Sequence, residues 1–111
     1  MIRHLVFFTA RDAADLPTMR ATFQTLAAIP GVRAFEVGTN TRSDQRTDDE
    51  PDLVVHAVFD DADALAAYKA HPTYQRSIAV VRPLRELRIA VDYEVDAPAP
   101  PAPRAPHQPL S

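Results

Sequence analysis

Leu53-Val54-Val55-His56-Ala57-Val58-Phe59 is apolar along almost its whole length. Side chains alternate across a strand, so Leu53, Val55, Ala57 and Phe59 share one face. Val54, His56 and Val58 share the other. A strand that is apolar on both faces belongs in the middle of a sheet, with something packed on each side. One other segment reads this way, residues 2–9. It carries Ile2, His4, Val6 and Phe8 on one face and Leu5 and Phe7 on the other.

The surroundings of these two strands supply the rest. Ahead of the first quoted stretch, 42–51 is a charged, turn-rich loop, and 32–39 reads as a strand with Phe35 and Val37 on one face. Leu16, Met19, Phe23 and Leu26 recur at helical spacing, giving a helix to about residue 28. Asp15 is its expected cap, Pro17 fits its first turn, and Pro30-Gly31 stops it. After Phe59, Asp60-Asp61 caps a second helix that buries Leu65 and Tyr68. Pro72 breaks that helix, because the residue before a proline is pushed out of the α region. Tyr74, Ile78 and Val81 continue a further piece up to Pro83. The last strand, 86–94, is expected to turn Leu87, Ile89, Val91 and Tyr93 inward and Arg88, Asp92 and Glu94 outward.

The order is β-α-β-β-α-β, an α+β, ferredoxin-like arrangement with a four-stranded antiparallel sheet. Its first and third strands are the central ones, in agreement with their two apolar faces. The helices cover one face only. The other would leave Leu5, Phe7, Val54 and Val58 in water, and an apolar patch of that kind marks an interface. A homodimer formed through the sheet faces is therefore expected.

Composition narrows the function classes. The chain has 111 residues, 46% apolar, with a net charge of −3. That is one domain's worth of chain, with no basic footprint for nucleic acid or a membrane surface. Absence of cysteine removes disulfides, zinc thiolate sites and a cysteine nucleophile. No apolar run approaches the roughly 20 residues of a membrane span, and no signal-peptide cleavage region is evident, so a cytoplasmic protein is expected. Residues 1–95 read as the folded domain. From 96 to 111, six of sixteen residues are proline, which implies an extended, disordered tail, a spacer or dispensable segment rather than a ligand for a proline-binding groove.

The segments Ile2-Arg3-His4-Leu5-Val6, Ile29-Pro30-Gly31-Val32, Phe35-Glu36-Val37-Gly38, Phe59 with its following acids, Tyr68-x-x-His71-Pro72 and Arg88-Ile89-Ala90-Val91-Asp92-Tyr93-Glu94 occur in an order that resembles the Dabb, or stress-responsive A/B barrel, family. The resemblance implies a single ferredoxin-like domain that dimerises through its sheets into a dimeric α/β barrel. The antibiotic-biosynthesis monooxygenases share that fold; the His-Pro pair and the ending of the last strand favour Dabb. One member of the family, a polyketide cyclase, works with a tyrosine and a histidine in a pocket between helices and sheet. Tyr68 falls on that tyrosine, whereas Tyr74 stands where that cyclase keeps its catalytic histidine. His4 and His71 fall on further histidines of that cyclase, and Leu53 replaces another.

Tyr68, His4 and His71 are thus the candidate catalytic residues. Each also has an ordinary structural role: a core tyrosine, a pocket-wall histidine and a link between two helical pieces. Functionally, a tyrosine hydroxyl would stabilise a developing enolate, and a neutral imidazole would act as base near physiological pH. Val6, Phe8, Phe23, Phe35, Val55, Tyr74 and Leu87 are the expected ligand-binding walls. His56 points toward the dimer interface, and His107 lies in the tail. No spacing typical of transition-metal ligands appears, and Asp48-Asp49-Glu50 reads as a solvated loop. Neither a metal nor another cofactor is expected. The leading expectation is a protein that binds a hydrophobic or aromatic small molecule. The alternatives are a cofactor-independent enzyme, polyketide-cyclase-like or monooxygenase-like, using Tyr68 with His4 or His71, and a structural or stress-protective protein without a ligand.

Overall fold

The computed structural model describes residues 1–44 and 50–96. Asp48, Asp49, His107 and the proline-rich tail from residue 97 onward lie outside the described residues. Strands β1 (Ile2–Ala10), β2 (Ala34–Thr39), β3 (Leu53–Phe59) and β4 (Arg85–Glu94) form one antiparallel sheet in the order β2-β3-β1-β4. Helix α1 (Leu16–Gln24) follows β1, while α2 (Ala62–Ala70) and α3 (Pro72–Val81) lie between β3 and β4. This is the ferredoxin-like arrangement, with β1 and β3 central as their two apolar faces require.

The helix boundaries have local chemical causes. The side-chain cap falls on Asp12, not Asp15: its carboxylate accepts from the Ala14 N–H and starts a 3-10 turn, Ala13–Asp15, ahead of α1. Asp15 occupies the α1 cap position without a side-chain bond. A second 3-10 turn, Thr25–Ala28, tightens the end of α1, and Gly31 then takes a φ of 91°, a left-handed conformation that suits glycine. The Asp61 carboxylate accepts from the Ala64 N–H and caps α2. His71, extended at ψ 140° before Pro72, separates α2 from α3.

Register sets which side chains meet. Antiparallel pairing places His4 opposite Ala57 and Asp92, Val6 opposite Val55 and Ala90, and Phe8 opposite Leu53 and Arg88. These rows face the helices. There Val6, Phe8, Leu53, Val55, Ala57 and Phe59 form the core with Met19, Phe23 and Leu26 from the α1 segment, Leu65 and Tyr68 from α2, and Val81 from α3.

The opposite rows carry a correction. Leu87, Ile89, Val91 and Tyr93 do not face the helices; they lie 39–49% exposed beside Leu5 and Phe7 on the open face of the sheet. Arg88 and Asp92 take the helix side. Apolar alternation in an edge strand shows only that one face is to be covered, not by what, and here the apolar row joins the uncovered side. Arg3, on the same open face, buries its Nε without a hydrogen-bond partner among the described residues.

Candidate acid–base and ligand-binding site

A cavity of about 200 Å³ lies between the helix side of the sheet and helices α2 and α3. Val6, Phe8, Phe23, Leu26, Val55 and Val81 supply its apolar wall, and His4, Tyr68 and Tyr74 its polar and aromatic part. The space exceeds the roughly 150 Å³ that suffices for benzene in an engineered protein cavity.

His4 is carried inward by β1, and its side chain is 2% exposed. Its Nδ1 is hydrogen-bonded to the Asp92 carboxylate, which the β1–β4 register places opposite it. Lys69 Nζ sits 3.6 Å from the other Asp92 oxygen. Burial pushes the His4 imidazole below its ordinary value, with Asp92 pulling the other way and Lys69 and Arg88 reinforcing the fall. Burial also acts to raise Asp92, but the His4 hydrogen bond and the Lys69 charge outweigh it and hold the carboxyl below the usual range. The two directions agree on one state: a neutral imidazole donating its Nδ1 proton to an ionised carboxylate. That leaves Nε2 with a lone pair and no hydrogen-bond partner among the described residues.

Tyr68 is 1% exposed and stands edge-on to His4, with ring centroids 6.0 Å apart at 69°. Phe59 and Tyr74 flank it at 4.8 and 5.0 Å. Burial, with Tyr74 adding to it, pushes the Tyr68 phenol well up, while Arg88 draws it down. The hydroxyl therefore stays protonated at neutral pH and is a hydrogen-bond donor. Like His4 Nε2, it makes no hydrogen bond to a described residue; neither atom is among the buried unpartnered ones, so both open onto the cavity that their side chains line.

Comparison with known proteins agrees with this architecture. Residues 2–95 match the stress responsive A/B barrel domain, Dabb. The chain belongs to the Dabb family. An uncharacterised protein of Streptomyces coelicolor is 35% identical over 103 residues, covering 85% of this chain and 99% of that one. A dimeric ferredoxin-like protein of unknown function from Thermobifida fusca superposes with a TM-score of 0.72 at 26% identity, covering 85% of this chain and 90% of that one. A Dabb family protein from Mesorhizobium loti gives 0.64 at 26% identity, covering 86% and 97%.

Within this Dabb protein the expected site residues separate. His4, Tyr68, Tyr74, Val6, Phe8, Phe23 and Val55 all border the cavity. His71 does not: its Nδ1 accepts the Thr73 N–H at 3.1 Å, so the ring caps α3. Phe35, on edge strand β2, packs against the core outside the cavity. Leu87 is on the other side of the sheet, next to Phe7 and Ile89. His56 is on that open face too, 3.3 Å from Glu36. Sequence reasoning missed Asp92, Arg82, Arg85 and Arg88. For Arg88 and Asp92 the signal is the polar row Arg88, Ala90, Asp92 of β4, which alternates as regularly as the apolar row. Among the described residues no group of three metal-ligating side chains forms, and no helix is long and apolar enough to cross a membrane.

Proposed function

We propose that this Dabb protein is a homodimer that binds a small aromatic or apolar molecule in the cavity between helices and sheet. One observation carries the reading: His4 and Tyr68 line one cavity with a largely apolar wall, and neither the imidazole Nε2 nor the hydroxyl has a hydrogen-bond partner among the described residues. An unpaired polar group in an apolar surround costs free energy unless a ligand or water completes it, and a few such groups in an apolar cavity are the usual form of a ligand site. Dimerisation is supported by the apolar open face, by the unpartnered Arg3 Nε on it, and by the dimeric ferredoxin-like protein from Thermobifida fusca. The test is a titration with 1-naphthol followed by amide chemical shifts. Shifts concentrated on β1, α2 and α3 around the cavity are expected. Saturating 1-naphthol with no shift there would sink the reading.

The His4–Asp92 pair favours a second reading, cofactor-independent acid–base catalysis. A neutral imidazole anchored at Nδ1 by a carboxylate is oriented to accept a proton at Nε2. With a carbonyl substrate, Nε2 would take the proton from the adjacent carbon, and that C–H bond's electron pair would become the enolate. Tyr68 would donate a hydrogen bond to the enolate oxygen, and Asp92 would stabilise the imidazolium that forms. Tyr74 stands where the polyketide cyclase that this chain resembles keeps its base, and in this arrangement His4 takes that role. Burst or steady-state loss of a β-dicarbonyl substrate, abolished by His4→Gln with the fold retained, would support catalysis. Unchanged turnover in that variant would rule out His4 as base.

A further inference from the structure

We propose that Arg82, Arg85 and Arg88 form an oxyanion-binding mouth to the cavity, so that its ligand is an aromatic or apolar molecule carrying a carboxylate or phosphate. This rests on the ligand-binding reading above and names the class of molecule it concerns.

All three arginines border the cavity that holds His4 and Tyr68. Arg82 ends α3, and Arg85 and Arg88 lie on β4. Residues three apart in a regular strand point to opposite faces. Arg85 and Arg88 nevertheless share the helix side, because the β1–β4 register shifts between Thr9 and Ala10. Arg88 pairs with Phe8, Leu87 with Thr9, and Arg85 with Ala10, leaving Glu86 as the extra residue. The Thr9 hydroxyl accepts the Leu87 N–H at 2.9 Å beside this irregularity. Bulges re-aim side chains next to functional sites, and this one brings a second guanidinium to the cavity.

No ion pair with a described carboxylate compensates any of the three. Arg85 is held below the ordinary guanidinium value, first by burial and then by Arg88 and Arg82. A chain with a net charge of −3 has thus gathered three like charges at one opening. The end of α3 accounts for one cation, since its carbonyls favour positive charge. It does not account for Arg85 and Arg88. Planar guanidinium groups converging on a cavity match the geometry of carboxylate and phosphate oxygens.

The experiment measures binding of 2-naphthoate, 2-naphthyl phosphate and methyl 2-naphthoate to the full chain by calorimetry. At least one anion should bind about tenfold or more tightly than the neutral ester, the value of one charged hydrogen bond. Whichever anion binds better identifies the group. Added salt should reduce the preference. Arg85→Gln and Arg88→Gln should each bring it toward unity without lowering the melting temperature, since each removes like-charge repulsion. Equal affinity of anions and ester would overturn the anion mouth and leave the cavity reading standing. Absence of binding by all three would overturn both. A preference that survives both substitutions, or a melting temperature that falls by many degrees in both, would show that these arginines do not serve an anion.

Discussion

His4 and Asp92 are 88 residues apart in the chain and joined by one hydrogen bond across β1 and β4. Strand pairing creates the contact, and helix packing then removes His4 from water while Asp92 keeps about a third of its side-chain exposure. That asymmetry holds the carboxylate ionised and the imidazole neutral. Lys69 and Arg88 face the same pair and oppose protonation of His4.

Acid should destabilise the protein through this pair. His4 has its folded value below the unfolded 6.5, so the unfolded chain binds more protons between the two values. Stability is complete above pH 6.5 and is lost as pH falls toward the folded value. Asp92, also lowered, acts in the same direction below the ordinary carboxylate value of 3.8. Melting temperature measured from pH 8 to pH 4 should fall on the acid side. His4→Gln should flatten the part of the profile just below pH 6.5. A wild-type profile flat across that window would contradict the neutral state of His4.

Asp92→Asn should move the His4 titration further down, because the principal groups raising it are the Asp92 hydrogen bond and charge. Imidazole resonances followed against pH would show this directly. An upward move would mean that Asp92 does not stabilise the protonated ring.

Tyr68→Phe should leave the melting temperature nearly unchanged, since the hydroxyl has no hydrogen bond to a described residue to lose. If an enolate forms in the cavity, turnover should fall by roughly 10²-fold, the cost of one lost oxyanion donor. Should the melting temperature instead drop by an amount matching about 1 kcal/mol, the hydroxyl serves the fold.

The wild type should sediment as a dimer, and Phe7→Asp or Val54→Asp should give monomer or aggregate. Both side chains lie on the open face, and burying an unpaired carboxylate there costs roughly several kcal/mol. Sedimentation of the wild type as a stable monomer at micromolar concentration would refute the sheet-to-sheet dimer.

A chain ending at Val95 should melt within a few degrees of the full one. The ladder already closes there: Val95 N–H donates to the Met1 carbonyl at 2.8 Å, and the Met1 amino group donates to the Val95 carbonyl at 3.1 Å. A large drop would show that the proline-rich tail docks on the domain.

Much of the fold was legible because its determinants are local. Alternation over 2–9 and 52–59 marked the two central strands, helical spacing marked Met19, Phe23, Leu65 and Tyr68, and Pro30-Gly31 and Pro72 placed the breaks. Of the candidate site, His4 and Tyr68 were legible as polar groups on inward stripes, and His71 as a link between helices. The phase of β4 was not legible. Its two rows, Leu87-Ile89-Val91-Tyr93 and Arg88-Ala90-Asp92-Glu94, alternate equally well, and a sequence does not state which side of an edge strand the helices cover. Only the register opposite His4 decided that Asp92 faces inward. Only the irregularity beside Thr9 put Arg85 and Arg88 on one side, because a strand read alone assigns residues three apart to opposite faces. Periodicity records burial along one element; a site made by pairing distant strands depends on register, which only tertiary structure sets.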